Sequence, residues 1–196
     1  MRRPQPLPTT PPTYPDAFNR DTDAQQQVYN LIAEWNISTV IETGTYMGDT
    51  TRYIAAIAQN VHTIECNKDY YNVVSKKLSE LKNVTSHFGS SPEILAKILP
   101  TLPGRNFIFL DAHWYAFWPI KDELRVISAH TTERPVIMIH DIHNPHNPEC
   151  GFDTYNNQRL DYEFIKPALD MVYRGPNYNL QYNISGPRGI LYVLPK

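Results

Sequence analysis

The chain is poor in cysteine, with Cys66 and Cys150 alone among 196 residues. They lie far apart and form no metal-type pair. A disulfide framework and a cysteine zinc site are therefore excluded as organising features, and a reduced cytoplasmic setting is expected. Nowhere does an apolar run approach the roughly 20 residues that a membrane-crossing helix needs, so no membrane partner is expected. An excess of one charge is also missing. The 18 basic and 20 acidic residues give a formal charge of -2, which offers no bulk attraction to nucleic acid. Arg2 and Arg3 open the chain without an apolar stretch behind them, so the start does not read as a secretory signal.

Proline, by contrast, is plentiful at the start. Residues 1–16 are proline-rich and should be extended or disordered, a flexible tail able to wrap the domain or a partner chain. Residues 17–196 are long enough for one domain with a substantial core.

Within that domain the periodicities alternate. A helix over 23–35 carries Val28, Leu31, Ile32 and Trp35 at helical spacing. Strand 38–42, helix 49–58, strand 61–65 and a helix over 69–81 follow, the last with Val73, Val74, Leu78 and Leu81 on one face. Strand 84–88 ends at Gly89-Ser90-Ser91, and Pro92 opens a helix over 93–99, a favoured place for proline. Apolar strands at 106–110 and 136–139 flank a helix over 121–129. A long polar loop, 143–160, leads to a helix over 160–173 and to strands 178–184 and 189–194, which only a short turn separates. Strands alternating with helices, several of them apolar throughout, predict an α/β, Rossmann-like, seven-stranded and mostly parallel sheet. Helices should cover both faces, with a C-terminal antiparallel hairpin at one edge.

The loop after the first strand, Glu42-Thr43-Gly44-Thr45-Tyr46-Met47-Gly48-Asp49-Thr50, is the most informative segment. A strand ending in an acidic residue and turning through glycines into a helix is suited to hold a nucleoside, because glycine admits close approach and helix N-termini present free N–H groups. The third glycine of a dinucleotide-binding loop is lacking, so a pyrophosphate fits poorly. The next strand ends in Glu65, placed either to take two ribose hydroxyls or to stand solvated at a strand end.

In open α/β sheets ligands sit beyond the carboxyl ends of the strands. Those ends read Glu42, Glu65, Gly89-Ser90-Ser91, Asp111-Ala112-His113 and His140-Asp141-Ile142-His143. Asp111, His140 and Asp141 come from neighbouring strands and offer two carboxylates and an imidazole to one divalent cation. Oxygen ligands suit Mg²⁺, and an added imidazole suits Mn²⁺, Fe²⁺ or Zn²⁺. The other reading is a loop-capping aspartate beside a satisfied buried histidine.

With these residues assembled, residues 24–196 resemble a class I S-adenosylmethionine-dependent methyltransferase. More narrowly, they resemble the metal-dependent O-methyltransferases of the catechol O-methyltransferase kind and the macrocin-type sugar O-methyltransferases. Glu42-x-Gly44-x-Tyr46-x-Gly48 is similar to the family's methionine-holding loop, and Thr63-Ile64-Glu65 to its ribose-binding strand end. Gly89-Ser90-Ser91 resembles the turn beside adenine, and Phe109-Leu110-Asp111-Ala112-His113-Trp114 the strand end that supplies a metal carboxylate. The resemblance implies S-adenosyl-L-methionine contacts from Glu42, Gly44, Thr45, Tyr46, Gly48, Thr50, Glu65, Cys66, Ser90, Ser91 and Asp111. It implies a divalent metal at Asp111, His140 and Asp141, with Mg first in order.

Two features depart from the family. Its metal pair on the later strand is Asp-Asn or Asp-Asp, where this chain has His140-Asp141. The lysine base of the catechol enzymes is absent, and the sugar-enzyme register gives that place to His113. A histidine is chemically apt, titrating near neutral pH. His143, His146 and Lys121 are its rivals. Trp114, Tyr115, Phe117 and Trp118 either form a lid for a ring-shaped acceptor or pack on the next helix. The expected activity is methyl transfer to a hydroxyl of a small molecule (sugar, polyol or catechol-like) by a chain able to form a homo-oligomer. A nicotinamide-dependent oxidoreductase, a metal-independent methyltransferase and an inactive nucleoside- or metal-binding module are the competing readings.

Overall fold

The computed structural model of the protein describes residues 8–113 and 117–196. Strands β1 (Thr39–Thr43), β2 (Asn60–Glu65), β3 (Val84–Phe88), β4 (Asn106–Leu110) and β5 (Val136–His140) run parallel. After them come the short β6 (Thr154–Tyr155) and β7 (Gln158–Arg159), then β8 (Tyr178–Tyr182) and β9 (Ile190–Pro195). The main sheet has seven strands in the order β3-β2-β1-β4-β5-β9-β8. β9 pairs antiparallel with both β5 and β8, so the C-terminal hairpin stands where the strand pattern predicts it.

Helices α1 (Thr22–Glu34) and α2 (Asp49–Ile57) cover one face of the sheet. There Val28, Leu31, Ile32, Tyr53 and Ile54 pack on Val40, Phe107, Phe109 and Met138. Helices α4 (Ser91–Ile98), α5 (Ile120–His130) and α6 (Tyr162–Tyr173) cover the other, with Leu95, Leu124, Ile127 and Leu169 against Ile41, Ile108, Ile137 and Ile139. Alternate residues of one strand thus feed two cores, which is why the central strands are apolar throughout. Helix α3 (Lys68–Leu78) lies towards the β3 edge. It buries Val74 and Leu78, whereas Val73 is 51% exposed, and it stops short of Leu81.

Two regions are more ordered than the sequence suggests. In the 143–160 loop, β6 and β7 form a small hairpin of their own. At the start, the proline-rich stretch is held along α1 from Pro8 onwards. The Tyr29 hydroxyl donates to the Pro8 carbonyl at 2.6 Å, and the Tyr14 N–H to Gln25 Oε1 at 3.2 Å. The amide of Gln25 donates back to the Tyr14 carbonyl at 2.9 Å. A 3₁₀ turn (Ala17–Arg20) then inserts Phe18 edge-on against Tyr53 and Phe109, at centroid distances of 5.7 and 5.4 Å. These contacts begin at Pro8, and residues 1–7 lie outside the described residues.

On β2 and β3, His62 Nδ1 and His87 Nε2 lie 3.0 Å apart with their rings stacked. Burial lowers the pKa of both, and for His62 the neighbouring imidazole adds to the effect. A hydrogen bond between two imidazoles needs one of them neutral at the accepting nitrogen. This contribution is fully present above the free-imidazole value of about 6.5. It is lost as the pH falls from there through the lower folded-state values, because the unfolded chain takes up protons first. The thermal midpoint should therefore fall on going from about pH 8 to about pH 5, and His87→Gln should remove part of that loss. An identical pH slope in the variant would assign the effect to other groups.

Candidate active site

The strand register sets the level of every polar group at the carboxyl edge of the sheet. Thr43 is paired with Ile64 on one side and Leu110 on the other, and Leu110 with Ile139. Gly44, Glu65, Asp111 and His140, each one residue further along, therefore emerge side by side.

Glu42 is buried between them. Its Oε2 accepts from the Thr51 and Thr63 hydroxyls at 2.5 and 2.7 Å, and Thr63 also meets the buried Thr45 hydroxyl at 2.5 Å. Burial pushes the Glu42 carboxyl up to about 8 against the pull of those two bonds. The glycines answer to protein neighbours as much as to a ligand. Gly44, at φ +86°, brings the chain so near the Asp111 carbonyl that a Cβ would lie 2.8 Å from that oxygen. Gly48, at φ +81°, caps α2, and a Cβ there would lie 2.6 Å from Val74. Tyr46 also adopts a positive φ, 47°, which costs energy in a residue with a side chain. Its N–H consequently points at Glu65 Oε2, 2.9 Å away, while Asn67 N–H donates to Oε1 at 2.7 Å. Each carboxylate oxygen of Glu65 keeps a further lone pair. Thr50 is engaged from within the chain, its hydroxyl accepting from Phe18 N–H at 3.0 Å.

Beside Glu65 opens a cleft of about 220 Å³ lined by Cys66, Ser90, Ser91, Ala112, His113, Phe117 and Pro119. Ser90 caps α4 through its backbone conformation, without a side-chain cap bond. Phe117 is exposed at the rim, whereas Trp118 turns inward onto Tyr155 and Phe164, with centroids at 4.5 and 5.8 Å. The lid and packing readings of these aromatics therefore each hold for one residue. Trp114 and Tyr115 lie outside the described residues.

A second cavity adjoins the first. It is lined among others by Asp111, His113, Trp118, Glu123, His140, Asp141 and Asp153. His140 Nδ1 lies 3.1 Å from Asp111 Oδ1 and 3.0 Å from Asp141 Oδ1. These contacts fall outside strict hydrogen-bond geometry among the described residues. Ligand atoms about 3 Å apart are what neighbouring positions on an octahedral ion with bonds near 2.1 Å require. The converging donor set of two carboxylates and one imidazole fits a divalent metal such as Mg²⁺, Mn²⁺, Fe²⁺ or Zn²⁺. Burial disfavours charge on His140, but Asp111 and Asp141 outweigh it and raise its pKa to about 10. Burial likewise raises Asp111. For Asp141 burial is overcome by His140 and Arg188, which hold its carboxyl below the usual range.

Arg188, Asp153, Tyr155 and Glu123 were not candidates from the sequence. Arg188, at the tip of the β8–β9 hairpin, donates from Nε to Asp141 Oδ1 and from Nη2 to Asp153 Oδ1. Glu123 on α5 is 1% exposed, with the Ser91 and Thr43 hydroxyls as its polar neighbours. Burial raises its carboxyl to about 7. Its neighbours in the sequence are charged, so it reads as part of a solvated face. His113 borders both cavities. Its rivals are engaged elsewhere: Lys121 Nζ sits 3.5 Å over the Phe164 ring, His146 packs on Tyr182, and His143 on Phe152.

No protein-family model matches the sequence, and no curated protein matches it. Solved structures do match it. An O-methyltransferase from Bacillus cereus in complex with S-adenosylhomocysteine is 16% identical at TM-score 0.65, over 97% of this chain and 84% of that one. TomG, an O-methyltransferase from Streptomyces achromogenes in complex with S-adenosylmethionine, is 17% identical at TM-score 0.58, over 87% and 78%. An rRNA methylase from Streptococcus thermophilus is 13% identical at TM-score 0.53, over 86% and 94%. At these identities the likeness establishes the fold. The chain has the Rossmann-like architecture of class I methyltransferases, and the structures that share it include enzymes named for quite different acceptors.

Proposed function

We propose that this chain is an S-adenosylmethionine-dependent O-methyltransferase acting on a hydroxyl of a small molecule, a sugar, polyol or catechol-like compound, with help from a divalent metal. The observation that carries the reading is the pairing of Glu65 with the adjoining cleft. A carboxylate at the end of β2, pre-aligned by two backbone N–H groups, is followed directly by Cys66 on the wall of a space large enough for a purine and bordered by Ser90 and Ser91. The fold neighbours that hold S-adenosylmethionine or S-adenosylhomocysteine support the same identity for the ligand.

In this reading Glu65 accepts from both ribose hydroxyls, and the Gly44–Gly48 loop holds the methionine part. The methyl would move in line, with its bond to sulfur breaking as the bond to the acceptor oxygen forms. The electron pair stays on sulfur, and the hydroxyl proton passes to His113. Asp111, His140 and Asp141 would hold the metal, which supplies a lowered hydroxyl pKa and a fixed orientation. The hydroxyl-rich acceptor is suggested by the Asn, Gln and Arg content of residues 143–160, the kind of loop that carries specificity.

Three outcomes follow from these assignments. Glu65→Ala should weaken S-adenosylhomocysteine binding by about 1.5–3 kcal/mol in calorimetry, the scale of hydrogen bonds to a charged group. Unchanged affinity in a folded variant, or stabilisation by NAD instead, would remove the cofactor assignment. Labelled-methyl transfer to a panel of catechols, sugars and polyols should stop in excess chelator while the thermal midpoint stays within a few degrees, because the sheet edge is already formed. Full turnover under chelation would make the enzyme metal-independent. His113→Ala should lower kcat by roughly 10²–10⁴-fold with little change in donor affinity. Near-normal kcat would pass the role of base to His143 or His146.

A further inference from the structure

The β6–β7 hairpin bears on which nitrogen of His113 is free to take a proton. Tyr155 Oη lies 3.1 Å from Asp153 Oδ2 and 3.2 Å from His113 Nδ1. One phenolic hydrogen thus faces two neighbours. Asp153 takes Arg188 Nη2 at its other oxygen, and its Oδ2 stands as the acceptor of the Tyr155 hydroxyl. The phenol must therefore donate to Asp153, the stronger, charge-assisted bond. Its oxygen then has only lone pairs left for the imidazole, and the 3.2 Å contact is a hydrogen bond only if His113 carries its hydrogen on Nδ1. The opposite arrangement would set the phenolic oxygen and the carboxylate face to face with no hydrogen between them. Burial and Asp153 push the Tyr155 phenol up to about 12, so its hydrogen is retained.

We propose that Tyr155, anchored by Asp153, is a positioning residue that holds His113 as the Nδ1–H tautomer and so leaves Nε2 as the nitrogen that receives the acceptor's proton. The proposal rests on the reading of His113 as base and adds the device that prepares it. The parts are rigid. The Tyr155 ring packs on Trp118, and Tyr155 pairs with Gln158 across the hairpin. The backbone of Asp153 is tied to Asp141 and Leu160, at 2.9 and 3.0 Å. This also accounts for a two-residue hairpin inside a polar loop, since a loose loop could not fix a tautomer. The logic is that of any base oriented by a third group behind it.

The test is ¹⁵N-histidine NMR of the full chain about two pH units above the free-imidazole value of about 6.5, with the His113 signals identified by their loss in His113→Ala. The wild type should show hydrogen on Nδ1. Tyr155→Phe, which removes the oxygen and keeps the ring against Trp118, should shift His113 towards the Nε2–H form. Its S-adenosylhomocysteine affinity should change less than about twofold, and its kcat in the labelled-methyl assay should fall about tenfold, part of what a positioned base supplies. A wild-type spectrum with hydrogen on Nε2, or a Tyr155→Phe spectrum unchanged from wild type, would overturn the proposal. The base reading fails separately. If the spectra behave as expected but His113→Ala retains full turnover, the tautomer assignment stands and the catalytic role of Nε2 falls.

Discussion

Three aspartates, Asp111, Asp141 and Asp153, meet largely out of water beyond β4 and β5, and positive charge has to stand among them. The chain supplies it from far along the sequence. Arg188 is 47 residues from Asp141 and 35 from Asp153, and bonds to both. Much of the C-terminal third is shaped by that delivery. Gly189 passes so close to β5 that a side chain would run into the Ile142 carbonyl, and a Cβ on Gly151 would lie 2.9 Å from Arg188 Nη1. Neither glycine has a positive φ in this structure, so the requirement is for space. The hairpin therefore closes the sheet edge and carries a guanidinium into the acidic cluster. Asp141 is the pivot, held at φ +59° so that its carbonyl receives Asp153 N–H while its carboxylate turns towards His140 and Arg188.

The two halves of the site rest on different physics. The half formed by β1, β2 and their loops is built from backbone, with N–H groups of Tyr46 and Asn67 on Glu65 and two glycines at positive φ. Glu42, whose carboxyl titrates at about 8, contributes hydrogen bonds within the protein more than charge at neutral pH. Glu65, held by two backbone N–H groups, stands beside the cleft that Cys66, Ser90 and Ser91 line. The half beyond β4 and β5 is built from charged side chains, with Arg188 bonded to both Asp141 and Asp153, and its geometry depends on loops distant in the chain.

That contrast explains what the sequence disclosed. Apolar runs and the strand-end rule placed β1 to β5 within a residue or two, and brought Glu65, Asp111, His140 and Asp141 to one edge. The terminal hairpin was legible from its short turn. Arg188 was not, because beside Gly186-Pro187 it reads as an ordinary turn residue. Asp153 and Tyr155 sit in a polar loop whose order comes from tertiary contacts. Glu123 follows Lys121 and Asp122 and looks solvated, yet the first turn of α5 dips under the strand ends and buries it. At the other end, α3 lies over an edge strand that covers little, so Val73 finds no partner although its spacing is helical. The proline-rich stretch carries no periodicity at all. Its contacts from Pro8 onward come from Tyr14, Gln25 and Tyr29, an arrangement fixed only once α1 is packed.

A fold carried by backbone pairing tolerates substitution of most side chains around it, so it persists among neighbours at 13–17% identity. An acceptor site built from loop side chains has no such tolerance, and its chemistry does not transfer between sequences this far apart. The acceptor must accordingly be read from this chain's own residues. Asp153, Arg188 and Tyr155 form a satisfied polar wall, Trp118 and Phe117 stand on one side of it, and Phe152 packs edge-on with His143 on the following loop. A wall whose donors and acceptors are already paired selects by shape and by the few lone pairs left over.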